Sequence, residues 1–168
     1  MLSHTLKNNS WIIQMVVQLK NKGDFIMKIA LASDKGGFDL KEYIKSYLKG
    51  KNYDVVDLSE EPAADFVDSA SAVSHAVLDG KAERGIMFDE FGAGSAMASN
   101  KIHGMVTANV AEENTSHMTT QHNGAKAIAI GAGIVGPKKA ESLVNEYLGV
   151  DYAGGRHQIR LDMLEKLS

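Results

Sequence analysis

The sequence predicts an α/β fold of three layers, a five-stranded parallel sheet flanked on both faces by helices. Two observations carry that expectation. Short apolar runs fit for buried parallel strands alternate five times with segments whose apolar residues recur at helical spacing. The links between them are short and punctuated by glycine, as right-handed strand–helix–strand crossovers require.

The elements follow in order. Residues 27–32 are a short apolar run, broken by Asp34-Lys35-Gly36-Gly37. Leu40, Tyr43, Ile44, Tyr47 and Leu48 then mark one helix face, stopped at Gly50. A second strand is expected over 53–58. Phe66, Ala70, Val73 and Val77 mark a second helix, ended by Gly80. The third strand is expected over 85–88, and residues 89–95 turn into a third helix. The fourth strand is expected over 105–110, with Glu112 and Glu113 at a helix start, where the dipole favours negative charge. The fifth strand is expected over 127–130. Pro137 suits the first turn of a helix whose face is Ala140, Leu143, Val144, Tyr147 and Leu148, with Gly149 at its end. A last helix is expected after Gly154-Gly155, running to the C-terminus.

This pattern starts at Met27, so residues 1–26 read as an N-terminal extension outside the fold and 27–168 as a single domain. The extension lacks the apolar core and small-residue cleavage site of a signal peptide. Lys7, Lys20 and Lys22 against Asp24 give it +2, so with −3 overall the remainder carries −5. That balance excludes a nucleic-acid binder relying on a strong overall positive field. With 44% hydrophobic residues the chain has enough apolar surface for a core, which excludes disorder over its whole length. There is no cysteine, hence no disulfide, no thiolate metal site and no cysteine base. No apolar run approaches the roughly 18 residues of a membrane span.

Ligands of such sheets sit beyond the carboxyl ends of the strands, which points to loops 34–37, 89–95 and 131–136. Gly92-Ala93-Gly94-Ser95 opens a helix. Its backbone N–H groups could hold an anion, or its glycines could serve only the tight turn. Asp34 and Asp89 lie at the same edge as acid–base groups or turn residues. Arg156 and Arg160, four residues apart, could grip one phosphate or form a solvated basic face, with His157 beside the first. His122 precedes the fifth strand and could move protons, or be a surface residue. A link entering a parallel strand lies at the opposite sheet edge, so His122 is expected far from its own chain's loops. It remains able to serve a neighbouring protomer. His4, His75, His103 and His117 show no metal spacing.

Several motifs recur together and in order. They are Ser33-Asp34-x-x-Gly37-Phe38-x-Leu40-Lys41, the Gly-Ala-Gly loop, Asn100-Lys101-Ile102-x-Gly104, Gln121-His122-Asn123 and Gly154-Gly155-Arg156-His157-Gln158-x-x-Arg160. Together they resemble the type-B ribose-5-phosphate isomerase superfamily. Asp89-x-Phe91-Gly92-Ala93-Gly94-Ser95, Tyr53 to Asp57, Asp65-Phe66-Val67-Asp68 and the segment 156–164 resemble its galactose-6-phosphate isomerase branch, A-subunit type. The resemblance runs from Met27 onward.

The resemblance implies a Rossmann-like, cytoplasmic aldose–ketose isomerase that needs no metal or other cofactor. It implies interconversion of galactose 6-phosphate and tagatose 6-phosphate in lactose and galactose catabolism. It also implies a second, different subunit of the same enzyme, the B type, joined in a heterodimer that assembles to a heterotetramer or larger. It implies His122 and Asn123 as catalytic residues acting across the dimer. It implies Asp34, Lys35, Gly92, Gly94, Ser95, Arg156 and Arg160 as substrate or phosphate contacts. The departures are as informative. Asp89 stands where the family has its cysteine base, Phe91 where a threonine helps open the ring, Lys35 for a histidine and Gly133 for an arginine. The chain's own half-site is therefore expected to be degraded and its cysteine supplied by the B-type partner. Two alternatives are a self-sufficient ribose- or allose-phosphate type of isomerase with Asp89 as base, and a non-catalytic structural subunit.

Overall fold

A computed structural model describes residues 26–167. Five strands, β1 (Lys28–Ser33), β2 (Asp54–Asp57), β3 (Arg84–Asp89), β4 (Thr107–Asn109) and β5 (Ala127–Gly131), form one sheet. All pair in parallel, in the order β2-β1-β3-β5-β4. The helices are α1 (Phe38–Gly50), α2 (Phe66–Leu78), α3 (Ala93–Ser99), α4 (Glu113–Gln121), α5 (Pro137–Leu148) and α6 (Gln158–Glu165), the last preceded by a 3₁₀ turn at Gly155–His157. The expected architecture is the observed one. Among the described residues no helix is long and apolar enough to cross a membrane.

Strand alternation sorts the core into two unequal faces. Ile29, Leu31, Ile86, Phe88, Ile128 and Ile130 point to one face and pack under α1 and α5. Ala30, Ala32, Met87, Ala127 and Ala129 point to the other, under α2 and α3. All five residues expected on the α5 face are buried. Fully burying a leucine or valine side chain such as Leu143 or Val144 contributes about 1.5–3 kcal/mol.

The expected face of α2 is only half right. Ala70 and Val73 are buried, but Phe66 is 38% exposed, and Ser69, Ser74 and Ala76 are buried instead. The alanine face of the sheet has room for small residues, and the buried hydroxyls are satisfied. Ser74 Oγ donates to Ala70 O at 2.7 Å and lies 2.8 Å from Ser99 Oγ, which lies 2.7 Å from Thr107 Oγ1. Strand β4 is shorter than expected, and α6 ends at Glu165 with no buried residue.

Lys41 is a fully buried charge. Its Nζ lies 3.1 Å from both Asp57 carboxylate oxygens, 2.6 Å from Glu42 Oε1, and donates to Ser59 O. It thereby fastens α1 to the end of β2, and Lys45 reinforces the link at 2.7 Å from Asp57.

Candidate active site

The residues singled out from sequence divide between the two edges of the sheet. Asp34, Lys35, Asp89, Gly92, Gly94 and Ser95 follow the carboxyl ends of β1 and β3. Those strands flank the point where strand order reverses, the usual ligand crevice of such sheets. His122, Asn123, Arg156 and Arg160 lie near the amino end of β5. Asp89 is in register with Gly131, four residues along β5 from Ala127. At roughly 3.3 Å per residue the edges are about 13 Å apart along that strand alone. His122 therefore cannot act on a group held at this chain's own carboxyl edge, as expected.

At the carboxyl edge, the carboxylates of Asp89 and Asp34 accept backbone N–H groups of their own chain. Asp89 is 5% exposed. Its Oδ1 accepts the N–H of Phe91 at 2.8 Å and that of Gly92, and Oδ2 accepts the N–H of Ser95 at 2.8 Å. The chain's own carboxylate thus occupies the backbone donors that open α3. Gly92 has φ of 76°, and a Cβ there would approach Asn109 Oδ1 and Gly131 N at 2.9 Å, so the turn itself demands glycine. Gly94 lies under the Phe66 ring, 3.0 Å from where a Cβ would sit. Ser95 Oγ is buried without a hydrogen-bond partner. Asp34 Oδ1 accepts the Gly37 N–H at 3.2 Å, and Lys35 is exposed on a cavity of about 410 Å³ with Asp39, Glu90 and Gly133.

At the amino edge, Arg84 is held internally by Tyr147 O and Val150 O, whereas the guanidiniums singled out from sequence face solvent. His122 caps the end of α4 and its ring stacks on that of His157, with centroids 4.3 Å apart and planes 9° from parallel. Gly124 (φ 59°) turns the chain toward β5, and Ala153 N donates to Gln121 O at 2.9 Å, which ties the two segments together. Arg156 and Arg160 are both exposed, and Arg160 Nη1 reaches back to Arg156 O at 3.3 Å. Desolvation beside the neighbouring ring, then the positive fields of His122, Arg156 and Arg160, hold the His157 imidazole below its ordinary range. Asn123 lines a separate cavity of about 430 Å³ with Asn100, Thr107 and Leu164.

His157 was legible as a neighbour of Arg156 and as a motif residue. No spacing rule joins residues 35 apart in the chain, so its stacking on His122 had no sequence signal. The Asn100 motif proves local: its side chain donates to Thr107 O at 2.7 Å and accepts from Thr107 N at 2.8 Å, bracing the α3–β4 turn. Among the described residues no group of His, Asp and Glu could hold a metal ion.

A parallel sheet with a crevice at one edge and half-buried imidazoles beside exposed guanidiniums at the other has the architecture of the α/β Rossmann-like class. The chain belongs to the ribose/galactose isomerase family, whose model matches residues 29–164. It is 49% identical over 141 residues to galactose-6-phosphate isomerase subunit LacA of Clostridium acetobutylicum, covering 84% of this chain and 99% of that one. To the subunit of the same name from Enterococcus faecalis it is 44% identical over 142 residues, covering 84% and 100%. The solved ribose-5-phosphate isomerase B of Clostridium thermocellum superposes with a TM-score of 0.82 at 33% identity, covering 84% of this chain and 97% of that one.

Proposed function

We propose that this chain is one subunit of an aldose–ketose isomerase that interconverts D-galactose 6-phosphate and D-tagatose 6-phosphate, the tagatose-pathway step of lactose and galactose catabolism. It acts with a cysteine-bearing partner of the B type, and the reacting carbons sit at the partner's crevice. The observation that carries this reading is the division between the edges. The guanidiniums of Arg156 and Arg160 are exposed beside the half-buried His122 ring, while the nest at the chain's own crevice is filled by Asp89.

In this reading the partner's cysteine takes the proton between C1 and C2 through a cis-enediol. His122 moves a proton at the ring oxygen during opening, and Asn123 donates to the enediolate. Arg156 and Arg160 grip the phosphate, for which guanidinium forks are suited. The alternative with Asp89 as base is disfavoured. Its carboxylate already accepts three backbone N–H groups, leaving about one of roughly four acceptor positions for a substrate proton.

The test is an isomerase assay with galactose 6-phosphate on the pure chain and on the chain co-expressed with the B-type partner. Activity is expected only in the mixture, with a loss of about two orders of magnitude in His122→Ala. Activity of the pure chain that vanishes in Asp89→Asn would transfer the reading to Asp89. A mixed enzyme indifferent to His122→Ala would make the chain a structural subunit.

A further inference from the structure

We infer that Glu90 is a specificity-determining residue that bars phosphorylated sugars from the cavity at this chain's own carboxyl edge. The class of ligand rests on the reading above; the site itself does not include the His122 cluster.

The cavity of about 410 Å³ collects three features that favour an anion. Lys35 lines it, as do Asp39 in the first turn of α1 and Pro137 in that of α5. Those helices have 13 and 12 residues, and each N-terminus contributes partial positive charge. Against these stand two carboxylates, Asp39 and Glu90. Asp39 complements the α1 dipole from within its own first turn. Glu90 has no helix of its own to cap. It follows β3 directly and crosses between two glycines.

Those glycines leave the space that Glu90 occupies. A Cβ on Gly36 would lie 3.1 Å from Glu90 N and 3.2 Å from its Cβ. A Cβ on Gly133 would overlap Glu90 Oε1 and lie 3.0 Å from its carbonyl oxygen, which already accepts the Gly133 N–H at 2.8 Å. Gly133 thus leaves room for the Glu90 carboxylate, an exposed and movable group that lines the cavity with the chain's own negative charge. An entering phosphate, itself carrying about −1.5 to −2, meets that charge at close range. Together with Asp89, whose carboxylate takes the backbone donors at the start of α3, successive carboxylates line this edge.

The experiment is a titration of the ¹⁵N-labelled full chain, on its own, with inorganic phosphate and then galactose 6-phosphate at constant ionic strength. The amides of Gly36 and Gly133 report on the cavity, and that of His157 reports separately on the basic edge. In wild type the Gly36 and Gly133 shifts are expected not to saturate, whereas Glu90→Gln and Glu90→Lys bind at least about tenfold more tightly there, the scale of removing one like charge. Sheet amide dispersion in each variant confirms folding, and the neutral Gln keeps the shape should Lys disturb it. Saturation of the wild-type cavity amides below about 1 mM, or variants that bind no better than wild type, overturns the inference. The titration needs no turnover, so an inactive mixed enzyme would sink the proposed function while leaving this result to stand or fall alone.

Discussion

Two clusters at opposite edges of the sheet, around Asp89 and Lys41 and around Arg156 and Arg160, are built on different terms. At the carboxyl edge, buried charges are matched by groups of the same chain: Asp89 by three backbone N–H groups, Lys41 by Asp57, Glu42 and Ser59. At the amino edge, Arg156 and Arg160 stand in solvent, and Arg160 spends one donor on a neighbouring carbonyl. Polar groups satisfied internally stabilise a fold but have little left to offer a ligand. Exposed, unsatisfied ones contribute little to stability and are free to recognise something outside. The difference separates where this chain is held together from where it is read to act.

Substitutions at the two edges should therefore move different observables. The largest effect is expected from Asp57→Ala, which leaves Lys41 buried with a reduced partner set. Breaking a buried pair costs about 3–5 kcal/mol, and the retained Glu42 contact points to the low end. Urea unfolding checks this; a loss below about 1 kcal/mol would mean the pair behaves as a surface bridge. Next comes His122→Ala, with turnover of the mixed enzyme down about a hundredfold and the unfolding midpoint nearly unmoved. A large stability loss there would erase the distinction between the edges.

Asp89→Ala should destabilise by about 1–3 kcal/mol, because buried N–H groups of Phe91, Gly92 and Ser95 lose their acceptor. Recovery of most of that loss in Asp89→Asn would sharpen the point, since the amide oxygen can still accept. Arg160→Ala should leave the unfolding curve alone and raise KM about tenfold, more so at low salt.

The smallest effect is a pH dependence. His157 is held below its ordinary range in the fold, so between its folded and unfolded values the unfolded chain binds more protons. Stability should then fall as pH drops through about 6.5, the unfolded value, and His157→Gln should flatten that slope in urea midpoints. A slope unchanged by the substitution would assign it to other groups.

What was legible in the sequence follows the same division. The strands and the α5 face were readable because period and burial agree at each position, as at Leu143 and Tyr147. The edge to which His122 belongs followed from the direction of a parallel strand. The buried serines of α2 were missed because apolar periodicity has no rule for a hydroxyl that satisfies itself on the preceding turn. Lys41 was visible only as a motif residue, since a fully buried lysine is rare enough that the default reading is solvent. Asp89 as a turn residue was one of its two sequence readings, but that its carboxylate also reaches the Ser95 N–H depends on turn geometry, which residue identities alone do not set.

The buried hydroxyls between α2 and β4 have one more consequence. Each hydroxyl carries a single proton. Ser74 gives its proton to Ala70 O, so it can only receive from Ser99, and Ser99 can then only receive from Thr107. The row has one polarity, running inward from the edge strand to the helix, and every member depends on the one outside it. Thr107→Val thus removes the head of a one-way relay, whereas Ser74→Ala frees the remaining pair to choose its own direction.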